Sequence, residues 1–225
     1  MRGEFPVRAW RASVAALTGV LALVALLAAL ALGGVSDPRP AGPLQVDASP
    51  DDAAGWALWP SSAESDTGGG EYLVTVPPQG GRALVTAPYT LRPPCTLEMS
   101  ARHVAGPSEA GFGLWWGEVP AGPYWVVAVN GDGYFAVFRV EGDEIQFIEE
   151  WQLFPHLSRE GATERLWVTV QEGRALVRLN DEVAASFGMP ATAPLHTGLY
   201  VEASRRGDAT VAFERLRIWQ AEPVE

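Results

Sequence analysis

The sequence predicts an all-β fold, a sandwich of two antiparallel sheets, preceded by one N-terminal transmembrane or signal helix. Two observations lead to this prediction. Residues 14–35 form one uncharged apolar run, and from residue 44 onward short runs of β-branched and aromatic residues alternate with Gly, Pro, Asn and Asp. Uncharged runs of about 20 residues are typical of membrane-spanning helices, whereas the alternation is typical of short strands joined by turns.

The N-terminal segment is the first element of the chain. Residues 1–13 carry three arginines, which favour a cytoplasmic location for this end. The apolar run at 14–35 is long enough to cross a bilayer, because about 20 helical residues rise about 30 Å. A cleaved signal peptide is the alternative, since "ALA" at 29–31 resembles a processing site, but the length of the run favours an uncleaved anchor.

A short linker follows the apolar run. Residues 36–43, "SDPRPAGP", contain three prolines, and proline resists both helix and sheet because it fixes φ and lacks an N–H donor. The working domain is therefore expected at 44–225, outside the cytoplasm, either membrane-anchored or secreted after signal cleavage.

Strand signals occupy the rest of the domain. The expected strands are 70–76, 82–87, 95–104, 110–116, 124–130, 134–140, 144–150, 164–171, 174–179, 182–187, 196–203 and 209–219. About twelve strands predict two packed sheets, because a single sheet of that width would curl or split. An immunoglobulin-like sandwich has about seven to nine strands, so a larger jelly-roll sandwich fits better.

The turn within "VNGDGYFAVFRV" at 129–140 determines which side chains of the neighbouring strands lie on the same face of the sheet. We assume that two-residue turns join 124–130 to 134–140 and 134–140 to 144–150. The residue numbers of two directly opposite residues then add up to an odd number, and their side chains lie on the same face of the sheet. One face is then apolar and contains Trp125, Tyr134 and Phe138, whereas the other carries most of the polar side chains. An odd-length loop would invert this assignment for every residue beyond it.

Charge and cysteine content exclude several classes of function. The net charge of −11 repels phosphate backbones, so nucleic acid is not expected as a partner. The single Cys95 has no second cysteine with which to form a disulfide or a thiolate metal site, and it is expected to be a small buried apolar residue.

Several quoted segments, taken in order, resemble a known superfamily. They are "GFGLWWG", "YWVVAVNGDGYFAVFRV", a connector at Trp151, "RLWVTVQEGRALVRLNDEVAA", "TGLYVEA" and "VAFERLRIW". Together they resemble the concanavalin A-like lectin/glucanase superfamily, and more narrowly its laminin G-like and 3-keto-disaccharide hydrolase-type jelly rolls of bacterial exported proteins. The resemblance covers roughly residues 50–220 and implies two stacked antiparallel sheets. It also implies a concave ligand face and a terminal strand that pairs near the start of the domain.

The catalytic motif of the superfamily's glycanases is not present in the corresponding stretch. That motif, Glu-x-Asp-x-x-Glu, places its carboxylates on one face of a strand, as a nucleophile and an acid about 5 Å apart require. The nearest stretch, "EGDEIQFIEE", puts Asp143 in a turn and places Glu149 and Glu150 on opposite faces. We therefore expect no catalytic residues.

The sequence motifs do not indicate a metal or cofactor site. Asn130, Asp132 and Gly133 match part of an EF-hand loop, but Ala128 and Arg139 occupy positions where calcium needs carboxylates, so a hairpin is expected instead. A calcium site built from Asp47, Asp51 and Asp52 is an alternative to solvated surface acid. Three distant histidines give no zinc spacing, and no cofactor is expected.

The polar-bearing face supplies the candidate ligand site. Its expected members are aromatic, charged or amide side chains, namely Trp115, Tyr124, Phe135, Arg139, Gln146 and Glu150. Aromatic rings can stack on sugar C–H faces, while Arg, Gln and Glu can bond hydroxyls. We therefore predict a non-catalytic extracytoplasmic module that binds a saccharide or an envelope protein through the concave face. The alternatives are a 3-keto-disaccharide-type hydrolase and a structural module of an envelope complex, the latter favoured if side chains fill the face.

Overall fold

The chain separates into two compact units, Met1–Arg39 and Pro40–Glu225. The structure is a computed structural model, and it describes residues 7–32, 40, 42–49, 55–59, 62–78, 81–118, 122–159, 161–171, 173–190 and 195–220. Most of the predicted linker at 36–43 lies outside the described residues.

The first unit contains one helix, α1, at Val7–Leu32. Within it, Ala12–Ala29 is long and apolar enough to cross a membrane, and its described side chains are exposed. A signal sequence passes the same test of length and composition. The helix begins seven residues before the predicted run at 14–35, because the preceding residues also favour helix and nothing there breaks it.

The described part of the second unit consists of strands. They are β1 (Leu44–Ala48), β2 (Ala57–Trp59), β3 (Glu64–Gly68), β4 (Glu71–Val76), β5 (Arg82–Leu91), β6 (Cys95–Ala105), β7 (Gly111–Gly117), β8 (Tyr124–Asn130), β9 (Tyr134–Glu141), β10 (Glu144–Leu153), β11 (Glu164–Gln171), β12 (Arg174–Leu179), β13 (Glu182–Gly188), β14 (Leu195–Glu202) and β15 (Ala209–Gln220). All the expected strands are found. β1, β2 and β3 are additional, and they are short or rich in Ser, Asp and Gly, which are poor strand formers.

The strands form two antiparallel sheets. The first sheet has the order β13-β12-β11-β6-β15-β4-β3, with β1 also paired to β15, and the second has the order β10-β9-β8-β7-β14-β5-β2. The long β15 pairs with β6 along one side and with β4 and β1 along the other. The expected pairing of the terminal strand near the start of the domain is therefore confirmed, as is the two-sheet sandwich.

The main core lies between the two sheets. Alternate residues of each strand point into it, including Leu97 and Val168 from the first sheet and Trp116 and Val127 from the second. Cys95 is fully buried there, and burial raises the pKa of its thiol to about 12. The expectation of a small buried apolar residue is confirmed.

The predicted facing of the central hairpin is wrong. Tyr124 faces Val140 and Val126 faces Phe138, so facing positions sum to an even number and the loop has three residues, 131–133. Asn130 Oδ1 accepts hydrogen bonds from the backbone N–H groups of Asp132 and Tyr134, at 3.1 and 3.0 Å. These bonds, with Gly133 at a φ of +85°, favour the three-residue loop.

The consequence is that β9 and the first part of β10 present the opposite faces to those predicted. The next turn does have two residues, because Ile145 faces Val140, so the error at the first loop carries into β10 as far as Phe147. Beyond Phe147 the register between β9 and β10 is irregular, with shifts between Phe147 and Glu149 and between Glu149 and Gln152. Strand β8 keeps its predicted orientation, with Trp125 in the core, whereas Phe138 points away from the core and Phe135 points into it.

Candidate functional site

The outer face of the second sheet, which we call the meander face, carries its own layer of buried apolar side chains. The layer is separate from the main core and consists of Leu84, Trp115, Tyr124, Val126, Ala128, Ala136, Phe138, Val140 and Tyr200. Four of these residues are aromatic. A sheet face of this kind is a candidate ligand-binding surface, because it combines apolar area with access from one side.

Large side chains on the meander face lie opposite glycines of the neighbouring strand. Trp115 of β7 faces Gly198 of β14, and Tyr200 of β14 faces Gly113 of β7. A Cβ at Gly198 would lie 1.7 Å from the carbonyl oxygen of Val85 and 2.9 Å from Trp115 Nε1. Trp115 Nε1 donates a hydrogen bond to that same oxygen, at 3.2 Å. Glycine at position 198 therefore lets the indole lie flat against the sheet.

A row of small residues runs across the middle of the meander face. Gly113, Ala128 and Ala136 are side by side on β7, β8 and β9. The rings of Phe138 and Tyr200 meet edge to face at 5.7 Å, although β7 and β8 separate their strands. The two rings must therefore extend over the small residues between them, which explains why both alanines are fully buried.

Trp151 of the edge strand β10 covers another part of this face. A Cβ at Gly111 would lie 3.3 Å from the tip of its indole, and Gly111 is three strands away on β7. The same Cβ would lie 3.6 Å from Glu202 Oε2. The half-buried Trp151 therefore reaches across the sheet and ends beside the carboxylate of Glu202.

Polar groups gather at this end of the face. Tyr200 Oη donates to Glu202 Oε2 at 2.9 Å. Arg82 faces Glu202 across β5 and β14, and its Nη1 is buried with no hydrogen-bond partner in the described part of the chain. Burial, followed by the nearby Glu202, raises the pKa of Tyr200 well above its usual range. Burial also raises the pKa of Tyr124, against the lowering effect of Arg82. Both phenols therefore remain protonated at neutral pH.

Exposed apolar side chains border the buried layer. Phe147 is 43% exposed, and its ring lies 5.6 Å from that of Phe138. Other exposed apolar side chains lie on β9, β10 and β2, namely Tyr134, Ile145, Leu153 and Trp59. The meander face thus combines a buried aromatic centre with an accessible apolar margin and one polar end.

Solved structures with the same arrangement of strands are known. The carbohydrate-binding module CBM66 from Bacillus subtilis matches with a TM-score of 0.60 at 15% identity, over 74% of this chain and 96% of that chain. LamA from Z. galactanivorans, in complex with laminaritriose and laminaritetraose, matches with a TM-score of 0.59 at 12% identity, over 79% and 98%. The catalytic domain of an endo-1,3-beta-glucanase (laminarinase) from Thermotoga petrophila RKU-1 matches with a TM-score of 0.58 at 7% identity, over 82% and 100%.

The second unit has the concanavalin A-like jelly-roll fold. The resemblance expected from the sequence is confirmed at the level of the fold. No protein-family model matches the chain, and no curated protein matches it.

The jelly roll brings together only two of the six predicted site residues. Trp115 and Tyr124 are in edge-to-face contact on the meander face, with ring centroids 5.9 Å apart. Phe135 points into the core between the sheets, where it contacts Phe154 at 5.3 Å. Its predicted position on the face of Tyr124 is wrong, because the three-residue loop turns β9 over.

The other three predicted residues lie elsewhere on the second sheet. The guanidinium of Arg139 is 5.9 Å from the ring of Trp125 and forms an ion pair with Glu141 at 2.6 Å. Gln146 faces Arg139 across β9 and β10, and Glu150 is exposed on β10. A contribution of Arg139, Gln146 and Glu150 to ligand binding stays a prediction.

Sequence reasoning missed Arg82, Trp151, Tyr200 and Glu202 as members of this face. Tyr200 and Glu202 lie on β14, whose segment "TGLYVE" has Gly198, Tyr200 and Glu202 at alternate positions. The segment "GFGLWWG" of β7 has glycine at alternate positions as well. Glycines spaced by two residues in two neighbouring strands are a detectable sign of a face on which large rings lie flat.

The described residues give no indication of a metal site. They contain no group of three or more His, Cys, Asp or Glu side chains placed to hold an ion. Asn130 Oδ1, the oxygen that a calcium loop would use, accepts two backbone N–H groups of its own turn. Asp47 is paired with Arg215 and Arg217, and the other two members of the alternative calcium site, Asp51 and Asp52, lie outside the described residues.

Proposed function

We propose that this protein is a non-catalytic extracytoplasmic binding module that takes a carbohydrate, or another cell-envelope ligand, on its meander face. The observation that carries the proposal is the position of Trp151, whose half-buried indole ends beside Glu202 on a sheet face lined with aromatic rings. An aromatic surface beside a carboxylate is the combination that a sugar ring requires, because it offers C–H contacts and a hydroxyl acceptor together.

The polar end would fix the orientation of the ligand. Glu202 already accepts one hydrogen bond from Tyr200 and has further acceptor capacity. The buried Nη1 of Arg82 is a donor without a partner among the described residues, and a buried donor gains most from a hydrogen bond because leaving it unpaired is costly. Exposed Phe147 would extend the apolar surface beyond Trp151.

The distribution of carboxylates supports binding rather than hydrolysis. A retaining glycosidase needs two carboxyl groups about 5 Å apart. Glu202 lies against Trp151 and Tyr200. On the edge strand β10, Glu149 accepts a hydrogen bond from Gln152 Nε2, at 3.0 Å, and Glu150 is exposed. Turnover of a keto-glycoside by the purified protein would instead establish the hydrolase alternative.

The N-terminal helix supports an anchored location for the module. α1 contains a span long enough to cross a membrane, and three arginines precede that run in the sequence. We place the jelly roll outside the cytoplasm, with residues 14–35 as the anchor. Mass spectrometry of the cell-derived protein distinguishes an intact anchor from a cleaved signal sequence.

The proposal is tested with a glycan array followed by calorimetric titration. The full chain in detergent micelles is the sample, and β-1,3-glucan oligosaccharides such as laminaritriose and laminaritetraose are the first probes. Trp151→Ala and Glu202→Gln should each weaken the best ligand at least about tenfold, since each removes about 1.4 kcal/mol or more of contact. Tyr124→Ala and Arg139→Ala test the residues predicted from sequence.

Glu182→Gln is the matched control, because Glu182 is exposed on the opposite sheet. It makes the same change of charge as Glu202→Gln and should leave the affinity unchanged. Circular dichroism of every variant separates lost binding from lost folding. An array without any glycan ligand, or equal losses in Glu202→Gln and Glu182→Gln, would contradict the proposal.

A second candidate function is a structural or interaction module of an envelope complex. It is favoured by the burial of Trp115, which is only 1% exposed, because the centre of the face is filled by the protein's own rings. Under this alternative the array finds no ligand, while crosslinks placed at Phe147 capture a defined envelope protein in cells.

A further inference from the structure

The outer face of the first sheet is chemically unlike the meander face, and we call it the ion-pair face. Most of its arginines form ion pairs with acidic partners. Arg102 forms an ion pair with Glu71, and Arg217 forms one with the buried Glu98, at 2.7 and 2.9 Å. Arg165 is paired with Asp181. Arg174 and Arg178, both on β12, have no ion pair among the described residues of this face, and Arg178 Nη1 donates instead to the backbone carbonyl oxygen of Asp181, at 2.8 Å.

Two stacked indoles lie in the middle of the ion-pair face. Trp167 and Trp219 have ring centroids 5.4 Å apart and an interplanar angle of 17°. Trp167 Nε1 donates to Thr169 Oγ1 at 3.2 Å, and that hydroxyl lies 3.3 Å from the hydroxyl of Thr96. Thr169 therefore connects the indole pair to the region beyond it on β11.

That region is a shallow hollow of about 360 Å³, which is within the size range of small-molecule sites. Its lining is mostly apolar by exposed surface but includes four polar side chains, and consists of Thr169, Gln171, Arg174, Leu176, Val183 and Ser186. None of these six residues is acidic. Thr169 belongs both to the hollow and to the hydrogen-bonded group around the indoles.

Arg174 is the charged group of the hollow. Its Nε donates to Ser186 Oγ at 2.7 Å, and Ser186 Oγ in turn lies 3.3 Å from the carbonyl oxygen of Ala175, to which it donates. These bonds hold the guanidinium in place. Within the described part of the chain Arg174 has no ion pair, unlike Arg102, Arg165 and Arg217 of the same face. Its terminal amino groups are positioned for an incoming anion.

We propose that this hollow binds an acidic saccharide unit, a hexuronate, as a second site independent of the meander face. Arg174 pairs with the carboxylate, the hydroxyls of Thr169 and Ser186 bond to the ring hydroxyls, and Leu176 with Val183 contacts the C–H face of the ring. The proposal stands whether or not the meander face binds a neutral glycan, because the two sites lie on different sheets.

The test is a calorimetric titration of the full chain in detergent micelles with trigalacturonate, and with galactotriose as its neutral counterpart. Trigalacturonate should bind saturably, and galactotriose at least about tenfold more weakly. Arg174→Gln should weaken trigalacturonate binding at least about tenfold, as expected for the loss of a charge-assisted contact. Val183→Asp, which puts a carboxylate at an exposed position of the hollow, should weaken it at least as much.

Arg205→Gln is the matched control, because Arg205 is exposed on the β14–β15 loop and its loss changes the net charge equally. This variant should change the affinity less than about twofold once ionic strength is near physiological, where distant surface charges are screened. Absence of trigalacturonate binding, equal losses in Arg174→Gln and Arg205→Gln, or a loss caused by Trp151→Ala instead would each overturn the proposal.

Discussion

The two outer faces of the sandwich come from the same alternation of side chains, yet they differ in what holds them together. On the meander face, aromatic rings lie over glycines and alanines and bury one another, with Trp115 and Phe138 almost inaccessible. On the ion-pair face, charged side chains are partly exposed and paired across strands, as Asp47 is with Arg215 and Arg217. Apolar burial of whole rings contributes several kcal/mol per residue, whereas exposed ion pairs contribute little.

This difference leads to an order of sensitivity to substitution. The meander face behaves as a second core, so its buried residues should affect folding strongly and its margin should affect binding. The ion-pair face should tolerate the loss of single charges with little change in stability.

The largest expected effect is at the centre of the meander face. Phe138→Ala should lower the free energy of unfolding by about 3–5 kcal/mol, because it leaves a cavity among buried rings. Phe147→Ala removes the ring that Phe138 contacts, but Phe147 is 43% exposed, so the loss should be about 1–2 kcal/mol. Guanidinium unfolding of the full chain in micelles measures both. Equal losses would show that the face is not a packed layer.

The next largest effect on the free energy of unfolding is expected where an aromatic ring lies close to the sheet backbone. Gly198→Ala should destabilise the fold by about 2–3 kcal/mol, because its Cβ would collide with the Val85 carbonyl oxygen. Gly68→Ala is the control within a strand, since a Cβ there meets nothing within 4 Å. That control should be neutral within about 0.5 kcal/mol. A tolerated Gly198→Ala would contradict the flat packing of Trp115.

A smaller effect is expected from the buried phenol. Tyr200→Phe removes the hydrogen bond to Glu202 and should cost about 1–2 kcal/mol at neutral pH. Burial raises the pKa of Tyr200, so the folded protein keeps a proton that the unfolded chain loses above about pH 10. Stability should therefore fall above that pH, and should fall less steeply in Tyr200→Phe. A parallel fall in both proteins would contradict the cause assigned to the shift.

The smallest effect belongs to the ion-pair face. The hydrogen bond from Arg215 lowers the pKa of Asp47, so the pair stabilises the fold at neutral pH, and its contribution is lost as pH falls below about 4. Asp47→Asn should cost less than about 1 kcal/mol at pH 7 because the pair is exposed. Wild type and variant should converge in acid. A difference that does not shrink as the pH falls through this range would point to a packing effect instead.

Composition and alternation were enough to predict the sandwich, since each strand from β4 onward carries β-branched or aromatic residues between turn residues. The facing of β9 could not be obtained in this way. It depends on whether Asn130 closes a two- or three-residue loop, and its side chain bonds to Tyr134 N in the longer one. One additional loop residue inverted the faces of β9 and of the first part of β10, and this is why Phe135 was assigned to the ligand face.

The candidate site depended on contacts between distant strands. Trp151 of β10 reaches Gly111 of β7 and Glu202 of β14, and such an approach follows from sheet order, which a single sequence does not contain. Trp115 and Tyr124 were placed correctly because both lie on strands before the misread loop.

The most direct test of the account is fluorine NMR of the full chain labelled with 5-fluorotryptophan, titrated with the best neutral glycan from the array. Single Trp→Phe variants assign the resonances of Trp151 on the meander face and Trp219 on the ion-pair face. If the glycan binds on the meander face, the Trp151 resonance shifts on saturation while the Trp219 resonance does not. A shift at Trp219 with none at Trp151 would contradict the assignment of the ligand to the meander face.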